Sequence, residues 1–288
     1  MGSIPTFGTW RNPVASIERV ALASLLVSAV TLATMTPRQQ AATLVVTTLR
    51  PRVFVEAAGI TFVDQEGGLV KALPGAPPDL AARDYATRAR AAAAGAATAR
   101  ALRANRIDVD LAPVLDAPDG PLGSRQFRSP AIALAFARGL GRAACVKHFP
   151  GLGSARFSTD DRPHVEATIR RRDLAPFRAA IRAGVRCVMV DNAFYGTRFR
   201  ASLEPRTYRL LRSLGFRGVA ITDSLSLVSE APVERWAPQA IRAGADLVLF
   251  TDPAQAERGV RALVPLARRG ELARHVARVF RFRLALER

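Results

Sequence analysis

Carboxylates, one histidine and an unusual lysine recur at the ends of apolar runs. In chain order they are Asp64-Gln65-Glu66, Asp116, Lys147-His148, Asp191-Asn192, Asp223 and Asp252. Carboxylates serve as nucleophiles or proton carriers, and a lysine and a histidine beside them bind hydroxyls or move protons. Lys147 also stands out by composition. Of 42 basic residues only Lys71 and Lys147 are lysines, so position 147 keeps a compact ammonium where the rest of the chain uses guanidinium, and the two are not interchangeable in a polar site.

The elements that must position these residues alternate along the chain. Short apolar runs rich in β-branched residues fall at 44–48, 53–63, 107–113, 143–148, 185–191, 217–223 and 245–250. Stretches of helical period lie between or after them, at 80–104, 130–141, 173–183, 204–213, 232–243, 254–268 and 271–286. Repeated βα units of this kind predict an α/β protein with a parallel sheet, read here as a single (β/α)8 TIM-type barrel. Such barrels run to roughly 200–250 residues as one domain and build their active sites on the loops that follow the strands. Only seven strand runs are countable against the eight a closed barrel needs. The eighth is either hidden in the first 50 residues or missing, which makes the barrel shortened or incomplete near its N-terminus. Between the run at 44–48 and Asp64 the chain allows about one strand and a turn, too little for a βαβ unit.

Two regions are expected. Residues 36–288 form the barrel, and residues 1–35 an apolar segment. Within the latter, Val20 to Ala33 is uncharged and follows Arg11 and Arg19, as in the apolar part of a secretory signal. It is too short to span a membrane, which takes roughly 20 apolar residues. An ordinary capping helix is the other reading, so the compartment is cytoplasmic or exported according to whether 20–33 acts as a signal, and any membrane association runs through that segment. Oligomeric state is not legible.

Composition excludes several classes. Hydrophobic residues make up 49% and charged residues 23% of the chain, which excludes a chain disordered throughout. The formal net charge is +18, yet the arginines are spread through the helical stretches without interleaved aromatics, so nucleic acid is not read as a partner. Cys145 and Cys187 show no metal-ligand spacing and sit in apolar runs, which points to buried structural thiols. No metal or organic cofactor is expected.

Four ordered segments carry a family resemblance. Lys147-His148-Phe149-Pro150-Gly151-Leu152-Gly153 resembles the KHFPG-x-G signature of glycoside hydrolase family 3, in its β-N-acetylhexosaminidase branch. Asp64-Gln65-Glu66-Gly67-Gly68 is similar to that family's DQEGG, and Ala112-Pro113-Val114-Leu115-Asp116 to its APV-x-D. Gly218 to Leu225 resembles its nucleophile-bearing strand. The resemblance implies Asp223 as the carboxylate nucleophile of a retaining glycosidase, with Asp64, Arg125, Lys147 and His148 binding the sugar. It implies a carbohydrate substrate, a terminal β-linked N-acetylglucosamine-type sugar such as cell-wall fragments carry. The branch's proton donor is a histidine in an Asp-Ser-His after KHFPGHG. At that spacing this chain has Ser158-Thr159-Asp160, with Leu152 replacing the first loop histidine; Asp160 thus stands at the donor position. On residue type alone Asp223 also suits a helix cap and Asp160 a surface turn. A rival reading is a catalytically impaired descendant that serves as a glycan-binding or scaffold protein.

Overall fold

The computed structural model describes residues 34–227 and 232–287. The apolar segment 20–33 lies outside them. Among the described residues no helix is long and apolar enough to cross a membrane.

Thr36 caps the first described helix, α1 (Pro37–Ala42), in a reciprocal capping box with Gln39. The strands and helices that follow are β1 (Val45–Arg50), β2 (Val53–Val55), β3 (Thr61–Val63), β4 (Gln65–Gly67), β5 (Val70–Lys71), α2 (Arg88–Ala104), β6 (Val109–Asp110), α3 (Pro130–Leu140) and β7 (Cys145–Phe149). The chain continues with α4 (Arg171–Arg182), β8 (Cys187–Val190), α5 (Pro205–Ser213), β9 (Val219–Thr222), α6 (Val233–Ala243), β10 (Val248–Phe250), α7 (Pro253–Arg268) and α8 (Ala273–Glu287). The fold is α/β with mixed sheets.

One sheet has the order β10-β1-β2-β3-β6 and another the order β7-β8-β9, while β4 and β5 form a separate hairpin. Pairing is parallel between β10 and β1, between β3 and β6, and throughout β7-β8-β9. Isolated parallel bridges join Asp110 to Ala144 and Ile221 to Leu247, between the two larger sheets. Every residue of β7, β8 and β9 is buried, as expected of parallel strands covered on both faces. That burial explains why these strands read as unbroken apolar runs.

The run 53–63 is not one strand. It folds into β2 and β3, antiparallel to each other, and β2 is antiparallel to β1 as well. Pro51 and Arg52 alone separate β1 from β2, and a parallel return would need a crossover of about a dozen residues. The strand missing from the sequence count therefore lies inside 53–63, in reversed direction. Glu56 makes the second turn: its buried carboxylate accepts the Ala58 N–H at 2.6 Å and the Ile60 N–H at 2.9 Å.

Two further expectations change. The helix expected over 80–104 begins only at Arg88, where the Thr87 hydroxyl accepts the Arg90 N–H. Cys145 and Cys187 are not free thiols. They are direct Cα partners on β7 and β8 and form a disulfide, a pairing that 42 residues of sequence separation conceal.

Burial pushes the Glu56 carboxyl from an ordinary 4.5 up to about 7, against its two backbone hydrogen bonds. A raised carboxyl favours the protonated fold, so its stabilisation is complete below about 4.5 and is lost as pH rises through about 7. That difference corresponds to about 3 kcal/mol. Glu56→Gln should flatten the stability profile between these limits, as read by urea unfolding at pH 4.5, 6 and 7.5.

Candidate active site

Six of the residues singled out from the sequence meet in one place. Asp64 follows β3, Lys147 and His148 lie in β7, and Asp223 follows β9. Arg125 comes from the turn Gly123–Arg125 after β6, and Asp160 from the loop between β7 and α4. All six line a single cavity of about 210 Å³, together with residues that include Arg52, Val70, Leu227 and Thr251. Among the described residues no group of three or more histidine, cysteine or acidic side chains is arranged to hold a metal ion.

The cavity wall is organised by a residue not assigned to the site from sequence, Glu66. Its carboxylate receives both Nε and Nη2 of Arg125 at 2.9 Å and sits 2.6 Å from Lys147 Nζ. Lys147 Nζ also reaches Asp64 Oδ1 at 2.7 Å, and Arg125 Nη1 reaches Asp160 Oδ2 at 2.7 Å. Charges therefore alternate along a chain, Asp64–Lys147–Glu66–Arg125–Asp160. Burial pushes the Glu66 carboxyl up, but the two cations outweigh it and hold it at about 2. The reverse balance keeps Lys147 and Arg125 above their ordinary ranges, since neighbouring carboxylates overcome a burial that favours the neutral forms. In the sequence Glu66 stands beside Asp64 at the end of an apolar run, and only the cations that meet it distinguish its role from that of its neighbour.

Backbone sterics explain that run. Gly67 and Gly68 both adopt left-handed φ, at +99° and +56°. A Cβ on Gly67 would lie 2.3 Å from the Leu80 carbonyl oxygen, and one on Gly68 would lie 2.7 Å from Ala81 Cβ. Only glycine meets both demands. Gln65 clamps the same loop: its amide nitrogen donates to the carbonyls of Leu73, Ala76 and Pro77, and its oxygen accepts the Leu73 N–H.

Asp116 fixes the histidine. Its buried carboxylate is 2.8 Å from His148 Nδ1, and it accepts the backbone N–H groups of His148 and Leu152. Asp223 is 9% exposed and accepts the Ser224 N–H at 2.7 Å. Burial raises its carboxyl above the usual range and the Asp160 carboxylate adds to this, while His148 and Lys147 oppose it. Asn192 steadies the segment by donating to the Ser224 carbonyl at 2.9 Å, its own oxygen held by the Ser202 hydroxyl. Asp191 turns away from the cavity to bond Tyr195 and Ala193, and Asp252 caps α7.

Asp160 departs from what a proton donor requires at rest. Burial pushes its carboxyl up, yet Arg125, His148 and Lys147 together outweigh burial and hold it below the ordinary range. Its loop is packed on a small core of its own, built from Val114, Leu122, Leu152, Val165, Ala167 and Ala193. Leu152, which occupies the place of a loop histidine, is fully buried there.

Compared with known proteins, the chain matches the model of the glycosyl hydrolase family 3 N-terminal domain over residues 11–282. It is 34% identical over 256 residues to a beta-hexosaminidase of Xanthomonas oryzae pv. oryzae, with 73% of this chain and 75% of that protein covered. A family 3 beta-N-acetylglucosaminidase structure from Paenibacillus sp. is similar at 28% identity and TM-score 0.70; 79% of this chain is covered, but it spans only 50% of that one. A family 3 glycosyl hydrolase structure from Mycobacterium smegmatis is similar at 26% identity and TM-score 0.73, covering 87% of this chain and 98% of that one.

Replacing Glu66 tests the charge chain. Glu66→Gln keeps the shape but leaves the buried Lys147 and the partly buried Arg125 short of a counter-charge, and should cost about 3–5 kcal/mol in urea unfolding at pH 7. Because the folded carboxyl lies near 2, its contribution is full above about 4.5 and disappears as pH falls through about 2. The difference between parent and variant should therefore shrink from pH 5 toward pH 2.

Proposed function

The chain belongs to the glycosyl hydrolase family 3 N-terminal domain family, and on that footing we propose that it is a retaining β-N-acetylhexosaminidase. It removes a terminal β-linked N-acetylglucosamine-type sugar, with cell-wall fragments as the source. The observation that carries this reading is the convergence of Asp64, Arg125, Lys147, His148, Asp160 and Asp223 on one cavity of about 210 Å³. Ligand sites for larger molecules run to roughly 300–1,000 Å³, so this volume suits one sugar ring and a terminal cut. The relatives named beta-hexosaminidase and beta-N-acetylglucosaminidase support the choice of sugar.

The scaffold is read as one (β/α)8-type barrel over residues 36–288, shortened on its amino-terminal side, with β2 in place of a βα unit. The bridges Asp110–Ala144 and Ile221–Leu247 support closure, since they continue the strand order from β6 to β7 and from β9 to β10.

In the first step an Asp223 oxygen bonds to the anomeric carbon as the glycosidic C–O bond breaks, and the leaving oxygen takes a proton. In the second, water attacks the same carbon, Asp223 leaves as carboxylate, and a base takes the water's proton. Lys147, His148, Asp64 and Arg125 hold the sugar hydroxyls. Asp160 is the proton carrier. A sugar that draws Arg125 away leaves burial as the dominant influence on Asp160, and its affinity for a proton rises as the substrate enters.

Two variants separate the roles. Asp223→Ala should abolish turnover of every substrate, because no other group forms the covalent bond. Asp160→Ala should slow natural β-glycosides by roughly 100- to 10,000-fold while barely affecting bond cleavage in a nitrophenyl glycoside, whose leaving group departs without protonation. Unchanged rates on the natural substrate would remove Asp160 from its role. A parent protein that binds N-acetylglucosamine yet hydrolyses neither substrate would instead support the glycan-binding reading.

A further inference from the structure

At the amino ends of the parallel strands, opposite the catalytic cavity, three cavities of about 370, 430 and 390 Å³ adjoin one another. They are lined by residues just before β6, β7, β8 and β9, namely Asp108, Ala144, Arg186 and Gly218. The first two share Gly141 and Arg142, and the last two share Gly184, Val185 and Arg186. Together they make one groove.

Exposed arginines line it, among them Arg100, Arg103, Arg138, Arg142, Arg186 and Arg217. The one carboxylate in the lining is Asp108, which accepts the Thr61 N–H at 2.8 Å. Some exposed arginines elsewhere face acids, as in Arg38–Glu257, Arg172–Asp119 and Arg242–Glu271, while others, Arg88, Arg90 and Arg209 among them, do not. None of the six groove arginines takes part in an ion pair among the described residues. Eight arginines line the groove against one carboxylate, and of these only Arg278 meets an acid among the described residues, the buried Asp246; the other seven guanidinium charges repel one another unless an anion offsets them.

The lining narrows the anion. Phe216 and Phe282 in the groove are buried, so it lacks the exposed aromatics on which single-stranded nucleic acid stacks. None of the large exposed apolar side chains, such as Leu49, Leu69 or Leu227, lies along it, so it has nothing to insert into a bilayer. Its concave shape offers no projecting element to a duplex. A flexible polyanion without bases fits, its carboxylates held by forked guanidinium groups. We propose that this groove docks an anionic polysaccharide and so presents the catalytic cavity away from the anchoring polymer. The preference for a glycan among polyanions rests on the glycosidase reading.

The probe is polygalacturonate, a linear polycarboxylate without N-acetylglucosamine, tested for binding by affinity electrophoresis of the full chain at about 50 and 200 mM salt. Parent protein should bind, and more weakly at the higher salt. A variant carrying Arg103→Gln, Arg138→Gln and Arg142→Gln should bind at least about tenfold more weakly at low salt, whereas Arg88→Gln, Arg90→Gln and Arg209→Gln, with the same charge change, should stay within about twofold of the parent. Equal losses in the two triple variants, absence of parent binding, or tighter binding to duplex DNA or phosphatidylglycerol vesicles would overturn the proposal. Aryl-glycoside hydrolysis, measured alongside, keeps the two readings apart. The groove variant should retain the parent rate, and an inert parent that still binds through the groove would sink the glycosidase reading while leaving this one standing.

Discussion

The buried carboxylate of Glu66 is the interaction on which the site depends. Two cations, Lys147 and Arg125, converge on it from separate parts of the chain, and each also reaches a second carboxylate at the cavity wall. Burying either cation alone would cost far more than the fold has to spare. With Glu66 between them the charges alternate, both cations stay ionised, and their remaining N–H groups are held toward the cavity. The paired glycines after Glu66 and the amide clamp of Gln65 serve this arrangement by fixing the loop that carries it.

Position 160 illustrates how opposing influences set the acidity of one carboxyl. Burial and the surrounding cations act on the Asp160 carboxyl in opposite senses, and Arg125 with His148 and Lys147 prevails. The surrounding loop is fixed by apolar packing, with Leu152 at its centre. Any change in the acidity of Asp160 must then come from rearranged charges around it, because its loop is tied down by a core. The same cavity holds Asp223 in the opposite condition, raised by burial and by the neighbouring carboxylate. Two carboxyls in one small space are pushed apart in acidity by whether a guanidinium touches them.

Charge is also sorted over the whole molecule. Carboxylates gather where the parallel strands end, and unpaired arginines gather where they begin. The βα architecture makes this possible, since each strand separates its two flanking loops by the full height of the sheet. A net charge of +18 is therefore a poor description of the surface that any one partner meets.

The sequence by itself determined the α/β class and most strand positions, because parallel strands covered on both faces must be apolar throughout, as β7, β8 and β9 are. It also marked Asp64, Lys147, His148 and Asp223, since polar residues closing such runs stand out against them. Glu56 and Gly59 were the available signals that 53–63 contains a turn, yet a run of β-branched and aromatic residues around them reads as one strand. Only the tertiary structure decided the direction of β2, the pairing of Cys145 with Cys187, the role of Glu66 and the ion pair that restrains Asp160. Each depends on partners that the chain brings together from afar, such as Glu66 and Arg125 at a sequence separation of 59. The basic groove is the extreme case. Its arginines lie on α2, α3 and the segments before β7, β8 and β9, so in sequence they look like scattered solvated charge, and only the tertiary structure sets them side by side.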